Sequence, residues 1–206
     1  MIVKNYNLAI GKKNLLRETE LFFQEGTINH VLGRNGSGKS QLAKDFILNR
    51  GKYFSKDVSN KTLVISSYSN LPKELTINDM IKTISWDLSS EIYQLLDIQS
   101  IPLNIPLKKL SDGQNQKIKL YILLSMNKEI IILDEITSAL DKVTVNEIHM
   151  FLQKYNIKHS EKIIINISHD LSDIRSLPGN YFIIDNQKMR RVSSVNQAIN
   201  WYLGEI

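Results

Sequence analysis

The sequence predicts an α/β protein with a mostly parallel sheet, an N-terminal antiparallel β subdomain and an inserted α-helical subdomain. Three observations carry that expectation. Short isoleucine-rich runs at 62–65, 130–133, 163–167 and 181–184 do not alternate apolar with polar, the pattern of strands buried on both faces. A glycine-rich loop at 33–38 stands between a strand-like run and a helix-like one. A long block of helical pattern separates the first isoleucine run from the second and interrupts the strand–helix rhythm.

Taken in order, residues 2–8 and 15–23 read as two strands, and Glu25-Gly26 as a turn into a third strand at 27–32. Leu42, Ala43, Phe46 and Ile47 recur at helical spacing within 39–49. Helical patterns at 76–85, 89–96 and 111–126 make up the insertion, and 143–155 is a further amphipathic helix. Asn186-Gln187 reads as a hairpin turn, and 195–203 as a closing helix whose Trp201 and Tyr202 are core or docking contacts. No tandem repeat, low-complexity block or long polar linker divides the chain. The expected organisation is one catalytic unit, with 1–66 and 127–206 forming the core and β subdomain and 67–126 the helical subdomain.

Composition narrows the class. The 206 residues, 42% hydrophobic and 23% charged, suffice for one substantial core and exclude collagen-like, disordered and coiled-coil chains. The longest apolar run, 120–124, falls far short of the about 20 residues a spanning helix needs, so direct membrane insertion is not expected. The first residues lack a secretory signal pattern, and the absence of cysteine removes disulfides and thiolate metal sites, so a cytoplasmic location is expected. The net charge of +5 is spread over scattered pairs such as Lys12-Lys13, Lys108-Lys109 and Arg190-Arg191. That pattern is a solvated basic surface, and no nucleic-acid partner is expected.

The chemistry concentrates in two motifs. Gly33-Arg34-Asn35-Gly36-Ser37-Gly38-Lys39-Ser40 fits the phosphate loop G-x-x-x-x-G-K-[ST], placed between a strand and a helix as that motif demands, and makes the core a P-loop NTPase core. Backbone N–H groups without an intervening Cβ, together with the positive end of a helix, suit a phosphate chain. Gly33, Asn35, Gly36, Ser37, Gly38, Lys39, Ser40 and Gln41 are therefore the candidate nucleotide contacts, with Lys39 reaching the β- and γ-phosphates and Ser40 a Mg²⁺ ion. The second motif, 130–135, is an apolar strand ending in two carboxylates: Asp134 would hold the magnesium shell and Glu135 would act as general base on the attacking water.

With Leu110-Ser111-Asp112-Gly113-Gln114 added, the sequence resembles the nucleotide-binding domain of ATP-binding cassette (ABC) proteins, over nearly the whole chain. The five residues look like the family's L-S-G-G-Q signature with Asp112 in place of its first glycine. In that family two domains meet head to tail, so the resemblance implies that Ser111, Gly113 and Gln114 contact a nucleotide held by a partner domain. Ser138-Ala139-Leu140-Asp141 is similar to the family's D-loop, which points to Asp141, and His169 stands where the family has its switch histidine, with a catalytic role. Two positions depart from the family: the Q-loop glutamine is replaced by Ser66 or Ser67, and the aromatic that stacks on adenine by Ile10, with Tyr6 the nearest substitute. His30, His149 and His159 have no metal-ligand spacing and read as core or surface residues.

The resemblance implies an ATP-binding and ATP-hydrolysing subunit of an ABC transporter that uses ATP and Mg²⁺. It would form a homodimer or heterodimer with another such domain and work at the cytoplasmic face with a separately encoded membrane-spanning partner. Two alternatives keep the fold: a soluble ABC ATPase acting on a protein complex, as in iron–sulfur-cluster assembly, and an ATP-dependent dimerisation switch with little hydrolysis.

Overall fold

Two strands at the N-terminal end, β1 (Ile2–Ile10) and β2 (Lys13–Phe22), pair antiparallel as a sheet of their own. The structure, a computed structural model, describes residues 1–66, 68–82 and 86–205, without the side chains of 86–89. A second sheet of six strands comprises β3 (Ile28–Gly33), β4 (Thr62–Ser66), β5 (Ile130–Asp134), β6 (Ile163–Ile167), β7 (Gly179–Asp185) and β8 (Lys188–Val192), in the spatial order β4-β5-β6-β3-β7-β8. All neighbours are parallel except β7 and β8. The three strands β3, β5 and β6 are buried at every residue, which is why they are mostly apolar without alternation; the polar exceptions inside them, Asn29, His30 and Asn166, are hydrogen-bonded. β8 returns antiparallel through Asn186 and Gln187, both at positive φ, the twist that a two-residue hairpin turn favours. The two sheets are joined where β2 runs beside β8: the Thr19 hydroxyl accepts from the Met189 N–H at 2.9 Å, and the Arg17 N–H donates to the Gln187 carbonyl at 2.9 Å.

Helix α1 (Lys39–Leu48) follows the glycine-rich loop and packs Leu42, Ala43 and Phe46 into a cluster with Tyr6, Phe23 and Phe54. Burying one such side chain stabilises the fold by about 1.5–3 kcal/mol. The short α2 (Lys56–Asn60), capped by Ser55, was not expected, because one turn of helix leaves no periodic signal. In the insertion, α3 (Ile77–Ile81) begins at a capping box in which Thr76 and Asp79 satisfy each other's backbone N–H groups. It is shorter than the 76–85 expected, and 83–85 lie outside the described residues. α4 (Trp86–Leu95) and two single-turn helices, at Ile98–Ser100 and Leu107–Lys109, lead to α5 (Asp112–Leu124).

α5 returns the chain to the sheet, bringing Ile118, Leu120, Tyr121 and Leu124 into one core with Ile65, Ile131 and Leu133. α6 (Lys142–Lys158), α7 (Leu171–Ser176) and α8 (Val195–Leu203) complete the fold, with Trp201 of α8 buried against Tyr181 and Ile183. Parallel pairing of β3, β5 and β6 brings Gly33, Asp134 and Ile167 out along one edge of the sheet. In open α/β sheets that edge is where ligands bind. Among the described residues no helix is long and apolar enough to cross a membrane.

Candidate active site

The glycine-rich loop leaves β3 and turns directly into α1. Gly38 stands at the N-cap with φ 107°, a conformation that side-chain-bearing residues rarely adopt. At Gly33 a Cβ would meet the Ser37 hydroxyl and crowd Ser37 Cβ and Ile184 Cβ, so a larger residue there would force the Ser37 side chain to turn. Lys39 is 5% exposed. Its ammonium donates to the Gly33 carbonyl at 2.7 Å and to the Arg34 carbonyl at 3.4 Å, folding back over its own loop. Burial pulls that ammonium below its usual range, while the charges of Glu135 and Asp134 oppose the shift.

Asp134 ends β5, and the Ser40 hydroxyl donates to its Oδ1 at 3.1 Å. Burial pushes the Asp134 carboxyl up, the Ser40 bond pulls it down, and the neighbouring Glu135 charge pushes it up again. Glu135, the next residue, leaves the strand at φ 56°, with its N–H bonded to the Ile167 carbonyl at 2.9 Å. This turn swings its carboxylate out of the sheet toward His169, whose Nδ1 lies 3.1 Å from Glu135 Oε1.

Two cavities meet at Glu135. One, of about 360 Å³, is lined by Asn35, Gly36, Gly38, Lys39, Ser40 and Gln41 of the loop and helix, by Ile10, Lys13 and Leu15 of the N-terminal sheet, and by Glu135. The other, of about 760 Å³, holds Glu135, Ser138, Ala139, Leu140 and His169. Ser111, Gly113 and Gln114 line neither. They head α5 on a different part of the surface, where Leu110 and Asp112 border a separate cavity of about 260 Å³. There the Ser111 hydroxyl accepts from the Gln114 N–H at 3.2 Å, and the Gln114 side chain accepts from the Ser111 N–H at 3.1 Å. Gly113 is buried against Thr144, and Asp141 caps α6 through the N–H groups of Val143 and Thr144.

The other sequence candidates divide. Tyr6 cannot offer its face to a base: it is fully buried under α1, and its hydroxyl donates to Asp45 at 2.8 Å. Ile10, by contrast, is exposed at the rim of the smaller cavity. Ser66 pairs with Asp134 across β4 and β5, but its hydroxyl is engaged within its own turn, accepting from the Tyr68 N–H at 3.2 Å. Ser67 lies outside the described residues. His30 and His149 are buried with hydrogen-bond partners. Lys13 and Leu15 were missed by the sequence reading, which had no local signal for residues that reach the cavity from another sheet.

The residues present suit both a phosphate chain and a hard cation. Among the described residues Lys39 makes no ion pair and bonds only its two loop carbonyls, and the Ser37 hydroxyl is buried without a partner, so the cation lacks a counter-charge and the hydroxyl an acceptor. Ser40 and Asp134 supply the oxygen donors that Mg²⁺ prefers.

Comparison with known proteins agrees with this geometry. The ABC transporter family profile matches residues 16–138. The chain is 46% identical, over the full length of both chains, to the Bacillus subtilis (strain 168) protein named "Probable peptide export ATP-binding protein YydI". Among solved structures it resembles one described as the ATP-binding subunit of an ABC transporter, with TM-score 0.75 and 17% identity over 98% of this chain and 92% of that one. It also resembles a dimeric ATP-binding cassette in a post-hydrolysis state bound to ADP and Pi, with TM-score 0.69 and 20% identity over 94% of this chain and 100% of that one. The chain belongs to the ABC transporter family and is an ATP-binding, ATP-hydrolysing subunit of that family.

Proposed function

We propose that this chain drives a membrane-spanning exporter of peptides by closing and opening a head-to-tail pair of ATP-binding domains. One observation carries the reading: Lys39, Ser40 and Glu135 line a single cavity, and Glu135, where that cavity meets the next, lies 3.1 Å from His169. The peptide cargo and the export direction follow the printed name of the B. subtilis relative.

In this reading the loop N–H groups from Gly33 to Gln41 hold the β- and γ-phosphates. The Lys39 ammonium leaves its two loop carbonyls for phosphate oxygens. The Glu135 carboxylate accepts a proton from the attacking water as that water's oxygen bonds the γ-phosphorus and the bond to the bridging oxygen breaks. His169, bonded to Glu135, keeps that carboxylate turned to the water and adds a donor for the phosphate. Ser40 and Asp134 would hold Mg²⁺, which when bound offsets phosphate charge. Ser111, Gly113 and Gln114 of one domain would face the γ-phosphate of the other, with Asp141 near the seam. The dimeric relative supports that arrangement, as does the exposed position of the α5 head away from the chain's own cavity. The helical part, 67–126, would receive the membrane partner at the cytoplasmic face.

The test is Glu135→Gln in the full chain, purified alone and from detergent-solubilised membranes. Turnover should cease, ATP should still bind, and size exclusion should show an ATP-dependent dimer. A polytopic membrane protein should co-purify. Undiminished turnover would reject the role of Glu135, a persistent monomer the paired mechanism, and recovery with soluble proteins alone the transport assignment.

A further inference from the structure

We propose that Asp173 is a positioning residue for ATP hydrolysis: its buried carboxylate ties together the two loops that carry Glu135 and His169. The inference rests on the reading above, in which His169 keeps the Glu135 carboxylate turned to the attacking water. They come from the ends of different strands, β5 and β6. Their mutual contact is largely solvent-exposed, with 45% of the His169 side chain open. An exposed pair of this kind contributes little holding force by itself. Glu135 also keeps a positive φ, which persists only where the surrounding structure imposes it.

Asp173, in the first turn of α7, supplies that constraint. It is 1% exposed. Its carboxylate accepts from the Thr137 hydroxyl at 2.8 Å, and Thr137 stands two residues beyond Glu135. Ser168, which directly precedes His169, lies close enough to help hold that carboxylate charged. A second bond, at 2.7 Å, comes from His149 Nε2 on α6. Two donors from separate parts of the chain thus converge on one anion, beside the segment that carries His169. Thr137, Ser168 and His149 are themselves buried, so no water competes there. Burial alone would raise the Asp173 carboxyl, but the His149, Ser168 and Thr137 side chains outweigh it and hold the group below its usual range, charged. Removing one donor leaves a buried charge short of a partner and frees one loop relative to the other.

The decisive pair of variants is Thr137→Val, which keeps the shape and loses the hydroxyl, and Thr137→Ser, which keeps the hydroxyl. In the full chain Thr137→Val should lower kcat by about tenfold while KM for ATP stays within about twofold, the pattern of a misplaced catalytic pair with intact binding. Thr137→Ser should restore kcat. A second readout needs no turnover: the imidazole NMR signal of His169 in the nucleotide-free protein, identified by its absence in His169→Gln. It should shift or broaden in Thr137→Val and in Asp173→Asn, and stay in place in Thr137→Ser. Wild-type kcat with an unmoved His169 signal in Thr137→Val would overturn the proposal. So would a loss of kcat and KM together that tracks a lowered Tm and that Thr137→Ser does not repair. Wild-type turnover surviving Glu135→Gln would instead discard the hydrolytic reading, and the imidazole signal would then still decide whether Asp173 ties the two loops.

Discussion

The phosphate loop and the head of α5 are both glycine-containing turns that run into a helix, yet they hold their polar groups in opposite ways. At the phosphate loop the Lys39 ammonium is folded onto two carbonyls, and among the described residues the Ser37 hydroxyl has no partner and no side chain caps α1. At α5 the capping box leaves neither the Ser111 nor the Gln114 side chain idle. The first turn is incomplete without an anion, while the second is stable by itself and offers a ligand only what protrudes from a finished cap. In the proposed head-to-tail pair, a site divided in this way would bind nucleotide on one chain first and take the second surface later. That order suits a pair of domains that closes around ATP and reopens when the γ-phosphate is lost.

The contrast breaks most visibly at Lys39. Lys39→Ala should lower turnover at least about a hundredfold and abolish the stabilisation that saturating ATP confers, which for an intact site is about 2.7 kcal/mol at a hundredfold excess over Kd. Thermal unfolding with and without ATP and Mg²⁺ measures this. An ATP-induced rise in Tm that survives the substitution would mean the loop is not where nucleotide binds.

The scaffold beneath the two turns should also respond differently to acid. β3, which feeds the phosphate loop, carries His30, pulled down to about 4 chiefly by burial and also by the charge of His149, against the Leu177 carbonyl and Asp173, which raise it. Its unfolded value is about 6.5. The unfolded chain therefore binds the extra proton first, and stability that is complete above about pH 6.5 drains away as pH falls to 4, by about 3 kcal/mol. His30→Gln should flatten that slope in denaturant titrations. A slope unchanged by the substitution would show that His30 does not set it.

A smaller effect belongs to α5. Ser111→Ala removes the cap acceptor and should cost about 1 kcal/mol of stability in denaturant titrations. ATP affinity of the dilute, unpaired chain should stay as it was. Weakened binding under those conditions would place Ser111 in the chain's own nucleotide site and erase the contrast.

Contiguity decided what could be read from the residues alone. The phosphate loop is eight consecutive residues, and Asp134 and Glu135 finish a strand whose apolar run announces it, so local pattern suffices for both. The partners of Asp173 lie 36 and 24 residues away, at Thr137 and His149, and no periodicity links them before the strands and helices are assembled. Tyr6 was misjudged for a related reason. The pairing of β1 with β2 is irregular on both sides of it, so strand alternation does not predict its side, and it turns inward to Asp45. Ser111 and Gln114 were legible as a motif, yet their mutual bonding became evident only once Ser111 proved to be the N-cap itself.

The smallest expected effect asks whether the incomplete turn reads anything beyond phosphate. Ile10 ends β1, is 43% exposed and borders the same cavity as Gly36 and Lys39, so a base attached to the bound phosphates would lie within reach of it. An isoleucine offers that base contact area but no aromatic face. Ile10→Tyr should therefore tighten ATP binding by about 0.5–1.5 kcal/mol, the worth of an aromatic pair beyond its buried area. Binding of inorganic tripolyphosphate, which has no base, should not change. Equal gains for both ligands would mean the new hydroxyl acts on phosphate. No gain for either would place the base away from β1.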